Sequence, residues 1–330
     1  MPGQYIIKNP LILRESPVSD PLTDIVALLN PRPTHAKLVE GAGKWRIVRE
    51  SSGEAFYCAV LQGECLMRIN GKAPILLVAG DFVLIPATYT FENTNAGSSP
   101  PADMTMPAFA GDGHVRIGST TGPAELLMYV GHCEFDTPDK PLIVALLPNE
   151  ILIKGQRRFV TLFELLLDES RTRRPGRDAV LMQLLQLLLI EALRSDPELS
   201  KTAGILRGLQ HEKIATALHL IHENPGADWQ IARLARDCAM SRSSFFAIFS
   251  ETVGMSPMQY LLFWRMSLAR KALVSGTDKI EQIAFRTGYQ SASAFNVAFT
   301  KYTGMPPGEF RRRNANDEAA RKRMGASGSL

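Results

Sequence analysis

Little in this 330-residue chain would mark a membrane-bound, secreted or metal-centred protein. Four residues are cysteine (Cys58, Cys65, Cys133 and Cys238), and none has the CxxC spacing. That points away from a disulfide scaffold or a zinc knuckle and fits a reducing cytoplasm. The most apolar run, LMQLLQLLLIEAL at 181–193, is broken by Gln183, Gln186 and Glu191, whereas a membrane span needs about 20 mostly apolar residues. The opening MPGQYIIKNP lacks the basic-then-apolar build of a signal peptide. Six histidines include no HxH pair. The expectation is a soluble, cytoplasmic chain that makes no use of a membrane, with room for two domains.

What is present is distributed unevenly. The net charge is +4, yet residues 1–204 hold 20 Lys and Arg against 23 Asp and Glu, while the remainder holds 17 against 10. A basic final third on a slightly acidic body suits a module that binds a polyanion.

That final third contains a repeat. LARDCAMSRSSFFAIFSETVGMSPMQY from 234 aligns with IAFRTGYQSASAFNVAFTKYTGMPPGEF from 283. Leu234 and Ala235 match Ile283 and Ala284 at an offset of 49. After one extra residue in the turn, Phe245, Phe249, Gly254, Met255, Pro257 and Tyr260 match Phe295, Phe299, Gly304, Met305, Pro307 and Phe310 at an offset of 50. Each copy reads as helix, turn, helix. Asp228 and Asp278 are expected to open the first helices, and Ser241 and Ser291 to cap the second ones. Gly254 and Gly304 are expected to end them in the left-handed conformation. Between the copies, PMQYLLFWRMSLARKALVS at 257–275 reads as one helix of roughly 28 Å at about 1.5 Å per residue. That approaches the ~34 Å advance of one duplex turn, so two second helices could enter successive major grooves. The plainer alternative is a helical bundle carrying two helix hairpins.

The segment 211–313 resembles the DNA-binding domain of the AraC/XylS family of bacterial transcription regulators, most specifically in IAFRTGYQSASAFNVAFTKYTGMPPGEFRR. The resemblance implies double-stranded DNA as partner, RNA polymerase as a further contact, and no cofactor. It places the base-reading positions on Ser243, Phe246 and Ala247 in the first unit and on Ala292, Ser293, Asn296 and Val297 in the second. Arg242, at the start of the first reading helix, could reach a base or a phosphate. Phe246 and Ala247 offer only apolar contact with a thymine methyl, whereas Asn296 can pair bidentately with adenine. Phe246 packed under the bridging helix, and Asn296 merely solvated, are the alternatives. Ser241, Ser291, Arg265, Arg311 and Arg312 are the phosphate candidates.

Residues 45–135 alternate apolar and polar in short runs separated by turn pairs such as Asn70-Gly71 and Gly80-Asp81, as in an antiparallel barrel. LQGECLMRINGKAPILLVAGDFVLIPATYTF resembles the cupin barrels that serve such regulators as effector domains, with Gly63, Gly80, Asp81 and Pro86 in order. The HxH of metal-holding cupins is missing, so no metal and no catalysis are expected. Trp45, Tyr57, Phe82 and Tyr89 line a ligand pocket or are plain core. Cys58, Cys65 and Cys133 are open as redox sensors. Two helices at about 156–195 carry narrow polar stripes on an apolar circumference, which calls for cover on more than one side and suggests a homodimer.

The fold expected is α+β in two domains. Residues 1–200 form a cupin-like antiparallel β-barrel followed by the helical pair, and residues 208–313 form an all-α double helix-turn-helix. A linker spans 195–204 and a disordered tail spans 314–330. The expected function is that of a DNA-binding regulator modulated by an unknown small molecule. A regulator whose barrel only dimerises, and a cupin enzyme with a DNA-binding appendage, are the rivals.

Overall fold

The computed structural model describes residues 20–49, 54–87, 90–111, 114–137, 140–172, 174–195 and 204–316. Helix α1 (Pro21–Leu29) starts at Asp20, whose carboxylate accepts the backbone N–H groups of Leu22 and Thr23. The barrel follows as β1 (Pro31–Ala42), β2 (Arg46–Arg49), β3 (Ala55–Gln62), β4 (Glu64–Ile69), β5 (Ile75–Val78), β6 (Phe82–Ile85), β7 (Phe91–Asn95), β8 (Ala108–Gly111), β9 (His114–Gly118) and β10 (Leu126–Phe135). Helix α2 (Lys140–Ala145), strand β11 (Ile151–Ile153) and the helical pair α3 (Arg157–Arg171) and α4 (Arg177–Ser195) complete this half. Among the described residues one sheet runs β11-β6-β3-β10-β1-β9-β8 and faces a second of order β2-β7-β4-β5.

The larger sheet is covered on both faces, and its side chains alternate between two cores. Phe56, Cys58 and Val60 of β3 point into the barrel with Cys65, Met67, Phe91 and Met128. Tyr57 and Ala59 point the other way, onto α3 and α4. Phe82 stacks on Phe159 with ring centroids 5.1 Å apart, and Tyr57 lies 6.3 Å from Phe163. Tyr57 and Phe82, expected in a barrel pocket, therefore belong to the sheet–helix layer, while Trp45 faces the barrel interior. Tyr89 lies outside the described residues.

The C-terminal half comprises α5 (Ile205–Gln210), α6 (Glu212–Glu223), α7 (Ile231–Asp237), α8 (Arg242–Val253), α9 (Pro257–Ser275), α10 (Ile280–Arg286) and α11 (Ala292–Thr303), and residues 307–316 are again helical. The expected tail thus stays helical to 316, and most of the expected linker, 196–203, lies outside the described residues. Two caps differ from expectation. Helix α7 begins after Gln230, with no side-chain cap, and α10 begins after Lys279. Asp278 instead pairs with Arg286.

The cores divide unequally. α1, the helical pair and the first helix-turn-helix unit, up to Trp264 of α9, share one continuous apolar cluster. The second unit has its own cluster, built from Met266, Ala269 and Leu273 of α9 with Ile283, Phe295, Phe299 and Phe310. α9 therefore joins a unit fused to the barrel half to a unit that stands on a separate core.

Candidate nucleic-acid interface and barrel cavity

The two units repeat in geometry as they do in sequence. Ser244 N–H donates to Ser241 Oγ at 3.2 Å, and Ala294 N–H donates to Ser291 Oγ at 3.1 Å. Gly254 and Gly304 close the second helices at φ of 85° and 80°. In the turns, Met240 N–H reaches Ala235 O at 2.8 Å and Tyr289 N–H reaches Ala284 O at 2.9 Å. Ala239 and Gly288 hold the equivalent left-handed position. The turns therefore coincide through Met240 and Tyr289, and the extra residue is Gln290, just before the second cap.

On α8, Phe245 and Phe249 are buried, while Arg242, Ser243, Phe246 and Ala247 are exposed. On α11, Phe295 and Phe299 are buried and Ser293, Asn296 and Val297 are exposed, with Ala292 half-buried. Phe246 and Val297 present 44% and 68% of their surface, so Phe246 does not pack under the bridging helix. Each reading face is an outward stripe held by two phenylalanines beneath it. Apart from the capping serines it is poor in hydrogen-bonding groups, with Arg242 and Asn296 as its strongest.

Two phosphate candidates serve other ends. Arg265, midway along α9, donates from Nε to Pro225 O and from a terminal nitrogen to Ala227 O, both at 2.7 Å. A Cβ built on Gly288 would sit 2.5 Å from the same guanidinium. Arg265 thus links the loop that leads into the first unit to the turn of the second. Arg311 donates to Asp278 O at 2.6 Å and is half-buried. Both are structural side chains. Arg312, like Arg242, remains exposed.

His222 joins the two halves of the chain. It is buried on α6, with Nδ1 2.9 Å from Asp24 Oδ2 of α1 and Nε2 2.7 Å from the Tyr260 hydroxyl. Its ring stacks on Trp264 at 3.8 Å. Burial holds its pKa below the usual histidine value despite the Asp24 carboxylate. A partner 198 positions away leaves no local signal in sequence.

Inside the barrel lies a cavity of about 240 Å³ with Trp45, Ile47, Phe91, Val115, Ile117 and Met128 among its walls. Among the described residues Lys37 and Arg49 are the charged ones that line it, and Asn93 also lines it. Trp45 is held at its backbone N–H by Asn95 Oδ1 at 2.9 Å. All four cysteines are buried free thiols. Burial pushes Cys65 and Cys133 up to about 12 and Cys58 well above its ordinary value, which leaves each protonated and a poor nucleophile. Among the described residues no three His, Cys, Asp or Glu side chains gather as metal ligands, and no helix is long and apolar enough to cross a membrane.

Comparison with known proteins follows the same division. Residues 20–196 match a family described as cupin, and residues 234–313 match a helix-turn-helix domain. A Streptomyces lividans protein described as an AraC-like transcription regulator is 31% identical over 89% of this chain and 98% of its own length. The transcriptional regulator AlkR of Acinetobacter baylyi is 28% identical over 84% of this chain and 94% of its own. Among solved structures, the DNA-binding domain of AdpA in complex with a target DNA is 25% identical, covering 30% of this chain and 89% of that one, at a TM-score of 0.29. ToxT of Vibrio cholerae is 12% identical over 85% of this chain and 96% of that one, at a TM-score of 0.33.

Proposed function

This chain belongs to the AraC-like transcription regulators, and on that footing we propose that it reads two adjacent DNA half-sites and that a small molecule in the barrel controls how it engages them. The observation that carries the reading is the pair of matching outward stripes on α8 and α11, set at the two ends of a 19-residue helix. Ser241 and Ser291 place helix N-termini against phosphates. Arg242, Ser243, Phe246 and Ala247 read one half-site, and Ala292, Ser293, Asn296 and Val297 read the other. Arg312 adds backbone contact. With few donors on α8, groove shape and thymine methyls carry much of the first half-site.

The division of cores supports a route for control. The first unit shares its core with α1, α3 and α4, and those helices cover the outer face of the barrel sheet. An occupant that favours one arrangement of that layer over another shifts the first unit relative to the second, a population shift biased by differential affinity. A homodimer through α3 and α4 fits Leu165, Val180 and Leu187, which remain exposed after α4 has packed on α1, α3 and β1. The relatives are transcription regulators, which accords with a role without catalysis.

The test is affinity selection of fragmented genomic DNA by the purified full-length protein at two salt concentrations, followed by sequencing. Tandem half-sites about one helical turn apart, retained at the higher salt, support the reading. Uniform recovery that vanishes with salt means phosphate attraction alone and contradicts it.

A further inference from the structure

The barrel cavity combines two features that a plain structural core does not need. Its walls are largely apolar, yet Lys37 and Arg49 both line it, and among the described residues no carboxylate lines it with them. Among the described residues neither cation meets an acid in a salt bridge or hydrogen bond. They repel one another: burial, and then the Arg49 charge, hold the Lys37 ammonium below its ordinary pKa. The same field reaches His132 on β10, the strand paired with β1. Its imidazole is pushed down to about 3 by burial first, then by His35, Arg49 and Lys37. Among the described residues this end of the barrel is electropositive and lacks a counter-charge.

The second feature is an unpaired polar group. Asn93 is 4% exposed and lines the cavity, its Oδ1 has no partner among the described residues, and its side chain meets two sulfurs, that of Met128 at 3.8 Å from Nδ2 and that of Cys65. A buried amide with an open hydrogen-bonding position costs free energy unless something fills it. Rotation of the amide lets it offer either a donor or an acceptor.

We propose that the barrel takes a compact apolar molecule bearing a single oxyanion, with its apolar body against Trp45, Val115, Ile117 and Met128 and its oxyanion between Lys37 and Arg49. The inference rests on the reading of the barrel as an effector site. An oxyanion there offsets part of the charge of two cations that line one cavity, and a carboxylate has oxygens enough for the ammonium and the guanidinium together. At about 240 Å³ the space falls below the ~300–1,000 Å³ of larger ligand sites, which favours a single ring or a short chain over a long one. The Asn93 amide serves a polar substituent on the body or a bound water.

The test is calorimetric titration of the full-length protein with 4-phenylbutanoate and with its uncharged counterpart 4-phenylbutan-1-ol. The wild type is compared with the Lys37→Met/Arg49→Met double variant and with Val115→Trp, which fills the cavity. Because neither cation has an acidic partner among the described residues, the double variant is expected to melt no lower than the wild type. The expected result is acid binding at least tenfold tighter than alcohol binding, loss of that preference in the double variant with alcohol affinity within twofold, and loss of both ligands in Val115→Trp. Equal affinities in the wild type, or a preference that survives in the double variant, overturn the oxyanion assignment. If the alcohol still depends on the open cavity in that case, the effector-site reading stands. Failure of both probes to bind at millimolar concentration overturns the oxyanion assignment and counts against the effector site as well, as does binding that Val115→Trp leaves unchanged.

Discussion

Asp24 Oδ2 lies 2.9 Å from His222 Nδ1, across the boundary between the barrel half and the DNA-binding half. With His222 neutral, Nδ1–H donates to the carboxylate and Nε2 accepts from the Tyr260 hydroxyl, so both ring nitrogens are satisfied. Asp24→Leu leaves a buried N–H without a partner, a loss of about 1–3 kcal/mol. The expected outcome is a lower denaturant midpoint and faster proteolysis between the halves. Urea unfolding and limited trypsin digestion check it.

Buried neutral histidines set a pH dependence. The folded pKa of His132, about 3, lies below its unfolded value near 6.5, and that of His222 is also lowered. As pH falls, the unfolded chain takes up these protons first. The stability they allow is full above about pH 6.5 and declines below it, for His132 down to about pH 3, at up to ~1.4 kcal/mol per pH unit per group. Urea midpoints at pH 7.5, 6.5 and 5.5 should fall with pH. In His132→Gln the fall should be shallower by up to that slope.

Exposed and internal arginines should separate by salt dependence. Arg312→Ala is expected to lower the slope of log affinity against log salt by about 1. Arg265→Ala should leave the phosphate count unchanged but release the carbonyls of Pro225 and Ala227, loosening the relation of the two units and lowering the melting midpoint. Asn296→Ala should cost about 1–3 kcal/mol at one adenine-containing position and little elsewhere. Titrations against labelled duplexes over a salt series distinguish the three.

The double helix-turn-helix was legible because its determinants are local and occur twice: serine caps, paired phenylalanines and terminating glycines, repeated at an offset of 50. The barrel was legible as alternating strands. Which face each residue takes was not, because β3 is buried on both sides and polarity gives no cue. Tyr57 and Phe82, read as pocket lining or plain core, are therefore core on the far side of the sheet, while Trp45 faces the barrel interior. Arg265 was read as a phosphate contact, and the bridge made by His222 left no signal, for another reason. Their partners are loop carbonyls 38 and 40 positions away and a carboxylate 198 positions away, and such contacts have no periodicity. Lys37 and Asn93 stand at strand positions that nothing in one sequence marks as lining a cavity.

The most direct test of the account is binding to synthetic duplexes that carry the selected half-sites with the spacing between them varied one base pair at a time. A double reader on a bridging helix of fixed length predicts a sharp optimum near one helical turn. It also predicts a collapse to single-unit affinity when five base pairs are added, since the second half-site then faces the opposite side of the duplex. Affinity that stays level across that series would contradict the account, because it would mean that α8 and α11 do not engage the same duplex together.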